Sequence, residues 1–546
     1  MNKIKKRFLL ILTVILFAAC QTSQVQEQGI QAAREADNRA EMRPENRTMD
    51  ELTVVFSRHT VNLDYRKSYF ASEAQIITAI HEGLFSYHPV TLEPVPAMAE
   101  RWHLSEDKLE WTFTIRRNAR FSNGDPVQAE NFRLGWLSLL EPEREAPYAS
   151  FFDIIEGARD FRNGTEKDPD KVGIRAVDAR TLVVKLNNPA SFFPSMLCHH
   201  SFSPIHRSMI NVADWSNANI IVNGPFRITS VNDDIIVMQK NQHYWDRANV
   251  ELNKLTIKFT DNGEEAAHLW NSGEARWIAG NVDMDALTDR SGIQVNIMFA
   301  THYYYIRSTV KPFDDHRVRR AMALVLPWNE IRSAYYLPAE NFIFPIRGYP
   351  QVKGISEPDY DEAKRLMIEA GYSSLEGLPD LVIRLPPSRD AARVGALMAN
   401  AWKDILGFNV RVEVISYETY FDTLKEDNYT VATLTWIGDF ADPYAFLKLY
   451  KADSNLNDAG FNDADYEALI ARSMTEEGTT RFATLAEAEK LLLDRALILP
   501  ICFTPAVNIV DTGELDGWFP NALDIHPFKY LSFKAFRPLP GVALVQ

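Results

Sequence analysis

Only three of the 546 residues are cysteine, which excludes a disulfide scaffold as the source of stability. Cys198, in SMLC, and Cys502, in LPICF, lie in apolar settings that suit buried free thiols better than a bridge, with a bond between them as the alternative. Positive charge is also scarce: 58 Lys and Arg against 73 Asp and Glu give a formal net charge of −15. A nucleic-acid surface needs a basic face, so that class is set aside. The acidity is compatible with cationic ligands, but solubility alone accounts for most of it. Past Phe17 no apolar run nears the roughly 20 residues that span a bilayer. H-E-x-x-H, G-x-S-x-G, Walker A and G-x-G-x-x-G arrangements are missing too, so a hydrolase reading finds no nucleophile–base pair. Asp283, Asp285 and Asp289 lack the glycine and closing glutamate of a calcium loop. His199 and His200 are adjacent, so a strand would point them apart, and no second cluster completes a tetrahedral set. Neither a metal nor a cofactor is expected, and the chain reads as a non-enzyme.

What is present begins at the N-terminus. Lys3, Lys5, Lys6 and Arg7 precede an apolar core from Phe8 to Phe17, too short to cross a membrane and built like an export signal. Ala18-Ala19-Cys20 then resembles a lipoprotein signal box, with Phe17 where such a box usually has Leu. Residues 1–19 are read as signal peptide, Cys20 as the lipidation site, and 20–49, polar and poor in apolar residues, as a flexible tether. The remainder, in a chain 46% hydrophobic and 11% aromatic, can bury a large core and is too long for one.

Its patterning is mixed α/β. Trp111, Phe113 and Ile115 alternate with Thr112, Thr114 and Arg116, a half-buried strand. Asn123-Gly124 signals a turn, and Asp125-Pro126 opens a helix with Phe132, Trp136 and Leu140 on one face. Leu381–Leu385 reads as a strand. Ala391–Leu406 reads as a helix with Val394, Leu397, Met398, Ala401 and Ile405 on one face, stopped by Gly407. Val410, Val412 and Val414 alternate as a further strand, and Tyr429 to Trp436 is another β-rich run. This succession argues for a sheet flanked by helices.

The order of short motifs resembles the cluster-5 family of periplasmic solute-binding proteins, the oligopeptide and dipeptide receptors of ABC importers. It runs through HEGLF, PAMAERW, EWTFTIRRNARFSNGDPV, Tyr148-Ala149-Ser150, Asn223-Gly224-Pro225-Phe226, KNQHYWD, HYYYIRSTVKPFDDHRVRRAM, WIGDFADPYAFL and Leu499-Pro500-Ile501. The likeness covers nearly everything from about residue 52 onward and leans toward the oligopeptide receptors. It implies an α/β, two-lobed periplasmic-binding-protein fold (type II, cluster C) with an extra subdomain. The first lobe would be discontinuous, 50–81 with 206–300 and 506–546. The subdomain would span 82–205 and the second lobe 301–505, with ligand held between lobes.

The resemblance also implies a site. Asp439 stands where the family's aspartate meets the ligand's ammonium, a charge whose burial demands a carboxylate; Asp442 is the nearby rival, with a turn role before Pro443. Thr435, Trp436, Ile437 and Gly438 would offer main-chain groups to a peptide added as a strand. Tyr148, Tyr417 and Trp436 match pocket-lining positions. Tyr69 falls where the oligopeptide receptor has a second acid, with Glu73 better matched to a helix position. The receptor's carboxylate-binding basic residues fall near Thr433 and Leu424, neither charged, leaving Arg389 and Arg393 as substitutes. The implied partners are short peptides, ABC permease and ATPase subunits, and the membrane through the lipid anchor, with no nucleic acid and a monomeric state. Implied location is extracytoplasmic, lipid-anchored to the cell membrane or periplasmic. The alternatives are a receptor for another solute (nickel or a non-peptide) and a surface lipoprotein acting as adhesin or sensor.

Overall fold

A computed structural model describes residues 50–59, 61–372 and 378–534. The expected signal segment, Cys20 and the tether lie outside the described residues, as do 535–546 of the last lobe segment. Among the described residues no helix is long and apolar enough to cross a membrane.

The chain enters as β1 (Glu51–Phe56), followed by helix α1 (Ala71–Ile80). A four-stranded sheet comes next: β2 (Ala99–Leu104), β3 (Glu110–Ile115), β4 (Ile174–Ala176) and β5 (Thr181–Lys185), in the order β2-β3-β5-β4. In β3 the alternation read from sequence places Trp111, Phe113 and Ile115 in the core. Helix α2 (Ala129–Leu140) packs on β4 and β5 of this sheet, with Phe132, Trp136 and Leu140 fully buried.

Nine further strands join β1 in one sheet. They are β6 (Phe226–Val231), β7 (Ile235–Lys240), β8 (Lys254–Phe259), β9 (Trp277–Ala279), β10 (Ile293–Ile306), β11 (Leu381–Leu385), β12 (Val410–Val414), β13 (Val431–Ile437) and β14 (Ile498–Val510). The order is β12-β11-β13-β10-β14-β9-β1-β8-β7-β6. Its two halves hang from opposite ends of one antiparallel ribbon, β10 with β14. The β9 end meets the ribbon at Ile509 and Val510, whereas β13 runs along Ala300–Ile306. The ribbon's register slips between Ile297 and Thr301 and again between His302 and Tyr303. Such slips bend and twist a strand pair, turning one half-sheet away from the other. The two expected lobe crossings, near 300 and near 505, fall inside this ribbon.

Helix α3 (Arg389–Leu406) forms where the apolar spacing asks, capped by the Ser388 hydroxyl and ended by Gly407 at φ 71°. Its buried face differs from the one read in sequence. Ala391, Val394, Gly395, Met398, Trp402 and Leu406 are inside, while Ile405 is exposed and Leu397 and Ala401 only part-buried. The indole of Trp402 decides the rotation, since it packs in this core and donates to the Met322 carbonyl at 2.8 Å. A side chain at 395 would also meet Leu385, with a Cβ 2.6 Å from its nearest methyl. β12 is the strand expected at Val410–Val414, and as the sheet's edge it leaves Val412 and Val414 exposed. The two cysteines described, Cys198 and Cys502, are buried and free.

Segments remote in sequence are tied together by one buried carboxylate. Glu82 of HEGLF accepts from Tyr244 Oη at 2.7 Å, Trp245 Nε1 at 2.6 Å and Lys529 Nζ at 2.7 Å. Its backbone carbonyl takes Asn223 Nδ2 at 2.7 Å. The neighbouring Gly224 must be glycine, because a Cβ there would sit 2.5 Å from the Ile80 carbonyl carbon. HEGLF, NGPF and the YWD motif therefore meet in space. Glu82 and Lys529 are only 5% and 8% exposed. Removing one partner of a buried pair leaves an uncompensated charge, at a cost of about 3–5 kcal/mol. Glu82→Ala should lower unfolding stability by about that amount in chemical denaturation, and a loss below about 1 kcal/mol would show that the cluster carries no such load.

Candidate ligand-binding site

Strand β13 is held by β10 along its whole length, from Ile306↔Val431 to Ala300↔Ile437. On its other side β11 pairs only with Val431 and Ala432. The Tyr420 hydroxyl from α4 (Tyr417–Thr423) then closes the edge at Thr433, accepting from its N–H at 3.1 Å and donating to its carbonyl at 2.9 Å. Beyond that point no strand among the described residues covers this edge. Gly438 N–H donates to Phe299 O at 2.8 Å, so Gly438, Trp436 and Leu434 face β10. The outward main-chain groups are therefore those of Thr435 and Ile437. Of the four residues expected to offer backbone groups, the geometry leaves two on the open edge. The Trp436 indole is fixed by a 3.0 Å bond to Ala445 O, and the Thr435 hydroxyl lies 3.0 Å from His302 Nδ1.

Past the end of β13 the chain turns, and Asp439 enters a buried place. Its side chain is 7% exposed and contacts two separate parts of the molecule. From its own half, Lys448 Nζ donates to Oδ2 at 2.8 Å; Lys448 is itself 1% exposed, with its ammonium against the Phe151 and Phe440 rings. From the 82–205 segment, His199 Nε2 lies 3.6 Å from Oδ1 and Tyr87 Oη donates to the Asp439 carbonyl at 3.2 Å. Burial raises the Asp439 carboxyl above the usual range against the opposing pull of Lys448. Burial also lowers Lys448 to about 8, with Asp439 resisting. His199 is pushed well below its ordinary value by burial, then by His200 and Lys448, so it is neutral. The result is one carboxylate and one ammonium in a water-poor setting, with no net charge.

The other expected site residues are distributed around this centre. Tyr148 is buried, 4.4 Å from the His199 ring. Tyr69 stacks on Phe70 and meets Phe421 of α4 edge-on at 5.8 Å. Tyr417, at the start of α4, is 55% exposed. Glu73 accepts from the backbone N–H groups of Asn62, Tyr69 and Phe70 at the start of α1. Asp442 is bound by both Arg481 terminal nitrogens, at 2.7 and 3.0 Å, and by the Tyr444 N–H, as a turn residue would be. Arg393 donates to the carbonyls of Glu330 and Ile331, whereas Arg389 is exposed. No group of three or more His, Cys, Asp or Glu residues among those described is placed to hold a metal ion. Sequence reading missed Lys448, Tyr87 and the part played by His199. The signal for Lys448 was a lone lysine inside the apolar run FLKLY, nine residues after Asp439; a cation buried there requires a counter-charge.

A second set of charges joins the same two parts. Asp153 accepts from Arg162 Nε at 2.6 Å and from Lys451 Nζ at 2.6 Å. Asp453 is paired with Arg162 at 2.9 Å and Arg159 at 2.6 Å. Phe192 stacks parallel to Phe440, under the Arg481 guanidinium. The 82–205 segment is thereby locked against the region around residues 439–481.

The Asp439–Lys448 pair lies within one half, so it should exist without ligand. In chemical denaturation of ligand-free protein, Asp439→Asn and Lys448→Met should each destabilise by about 3–5 kcal/mol. The double variant should lose less than the sum, with a coupling of at least about 1 kcal/mol; additivity within about 0.5 kcal/mol would show that the pair does not form in solution.

The sequence profile of bacterial extracellular solute-binding proteins, family 5 Middle, matches residues 93–458. The chain is 28% identical over 541 residues to the periplasmic oligopeptide-binding protein OppA of Salmonella typhimurium, covering 93% of this chain and 95% of that protein. It is 28% identical over 464 residues to the dipeptide-binding protein DppE of Bacillus subtilis, covering 81% and 83%. Among solved structures, the murein tripeptide binding protein MppA of Escherichia coli overlays with a TM-score of 0.79 at 27% identity, covering 89% of this chain and 99% of that one. An unliganded open form of MppA overlays with a TM-score of only 0.61 at 26% identity, covering 90% and 99%. With the profile spanning two thirds of its length and a two-lobed α/β fold shared throughout, the chain belongs to family 5 of the bacterial extracellular solute-binding proteins.

Proposed function

We propose that this protein is the extracytoplasmic substrate-binding component of an ABC importer, capturing short peptides between its lobes and passing them to permease and ATPase subunits. The observation that carries the reading is the open edge of β13, where Thr435 and Ile437 present unpaired N–H and C=O groups one step before Asp439. Such an edge takes an extended main chain of any sequence, giving affinity without demanding particular side chains. Family membership and relatives described as oligopeptide-, dipeptide- and murein-tripeptide-binding support it.

The lobes are assigned as 50–81 with 206–300 and 506–546, and 301–505, with 82–205 as the inserted subdomain. The β10–β14 ribbon is the hinge. The Asp153–Arg162–Lys451–Asp453 cluster and the contacts of Asp439 with Tyr87 and His199 hold the inserted subdomain against the second lobe in the closed arrangement. Tyr69, Tyr148, Tyr417 and Trp436 line the space around the ligand. Cys20 carries the lipid that tethers the monomer outside the cytoplasm.

A ligand that binds only the folded protein stabilises it by about 2.7 kcal/mol at 100 times Kd. A pool of short peptides should therefore raise the melting temperature of the mature protein, whereas nickel, sugars and nucleotides should leave it unchanged. A rise with nickel and none with the peptides would replace the peptide reading by a metal-receptor one.

A further inference from the structure

A free peptide brings an ammonium to the end of the strand it adds, and Asp439 is the carboxylate waiting there. In this chain that carboxylate is already occupied. Lys448 Nζ sits 2.8 Å from Oδ2, and the lysine side chain is 1% exposed under the rings of Phe151 and Phe440. The remaining groups around Asp439 add no second negative charge: Tyr148 and Tyr87 are hydroxyls and His199 is an imidazole. Asp442, the next acid, is held by the bidentate grip of Arg481.

A ligand ammonium entering this place would share one carboxylate with Lys448 and leave a net positive charge in a buried setting, which is strongly unfavourable. Lys448 is buried with its ammonium against the Phe151 and Phe440 rings, so moving it off Asp439 would leave that charge without its counter-ion. A ligand whose amino end is an amide faces no such conflict: it adds no charge, and its N–H can still donate to the Asp439 carboxylate.

We propose that Lys448 is a built-in counter-ion standing where a ligand's ammonium would stand, so that this receptor selects peptides whose amino end is acylated over those with a free amine. The proposal rests on the peptide reading given above. It makes Lys448 a specificity-determining residue and assigns the ligand to the class of amino-blocked peptides.

The experiment uses one random tetrapeptide pool prepared in two forms, free and N-acetylated, competed for the mature wild-type protein and for Lys448→Met, with bound peptides read by native mass spectrometry. Wild type should retain acetylated members at least tenfold over free ones, and Lys448→Met should shift the ratio at least tenfold toward free amines. Wild type favouring free peptides, or showing no preference, overturns the proposal whether or not the variant folds. An unchanged ratio in a folded Lys448→Met, or in Lys448→Gln, overturns it as well. Retention of neither form by wild type would instead sink the peptide reading, and this inference with it.

Discussion

The antiparallel pairing of Ile293–Ile306 with Ile498–Val510 is the constraint on which the remaining structure depends. It is the only pair of strands, among those described, that belongs to both half-sheets, and each half attaches to a different end. Because the register slips at Ile297/Thr301 and His302/Tyr303, the ribbon is bent where the halves part. The same strand that bends also carries the site: β13 lies on it from Ala300 to Ile306, so its free edge and the Asp439 turn are fixed relative to the hinge. On the proposed lobe division, motion of one half about the ribbon would move the 82–205 segment toward or away from Asp439 without disturbing β13.

Where the two halves touch, the contacts are of two kinds. Aromatic faces from Phe151 and Phe192 meet Phe440, and buried charges from Asp153 and Arg162 meet Lys451 and Asp453. Much of what the buried ion pairs gain is offset by their desolvation, which keeps the proposed closure reversible. Closure that is balanced in this way can be tipped by a ligand, which need only contribute its differential affinity for the closed arrangement.

Much of the fold was legible because local patterns and global needs agree. The Trp111–Phe113–Ile115 alternation and the Phe132–Trp136–Leu140 face both became core, and Glu82, Gly224 and Tyr244-Trp245, noticed as motifs, converge in one buried cluster. The misreadings have physical causes. Spacing alone cannot say which of two neighbouring stripes of α3 is inside, and Trp402 with Gly395 turned it. The strand read at Val410–Val414 is present, and what its alternation does not carry is its place at the sheet edge. At the site, Asp439 was nominated by its motif, but its counter-ion could not be, because charge pairing depends on a turn that brings Lys448 back over nine residues. Of four nominated backbone positions, only the pleat decides that Thr435 and Ile437 look outward.

The central claim is that ligand adds as a strand to the open edge of β13. Residue-resolved amide hydrogen exchange on mature protein, with and without a saturating peptide pool, tests it most directly. The account predicts slowed exchange at the Thr435 and Ile437 amides, with Trp436 and Gly438, already bonded to β10, little changed. Saturating peptide that leaves Thr435 and Ile437 exchanging as fast as in the free protein would contradict it.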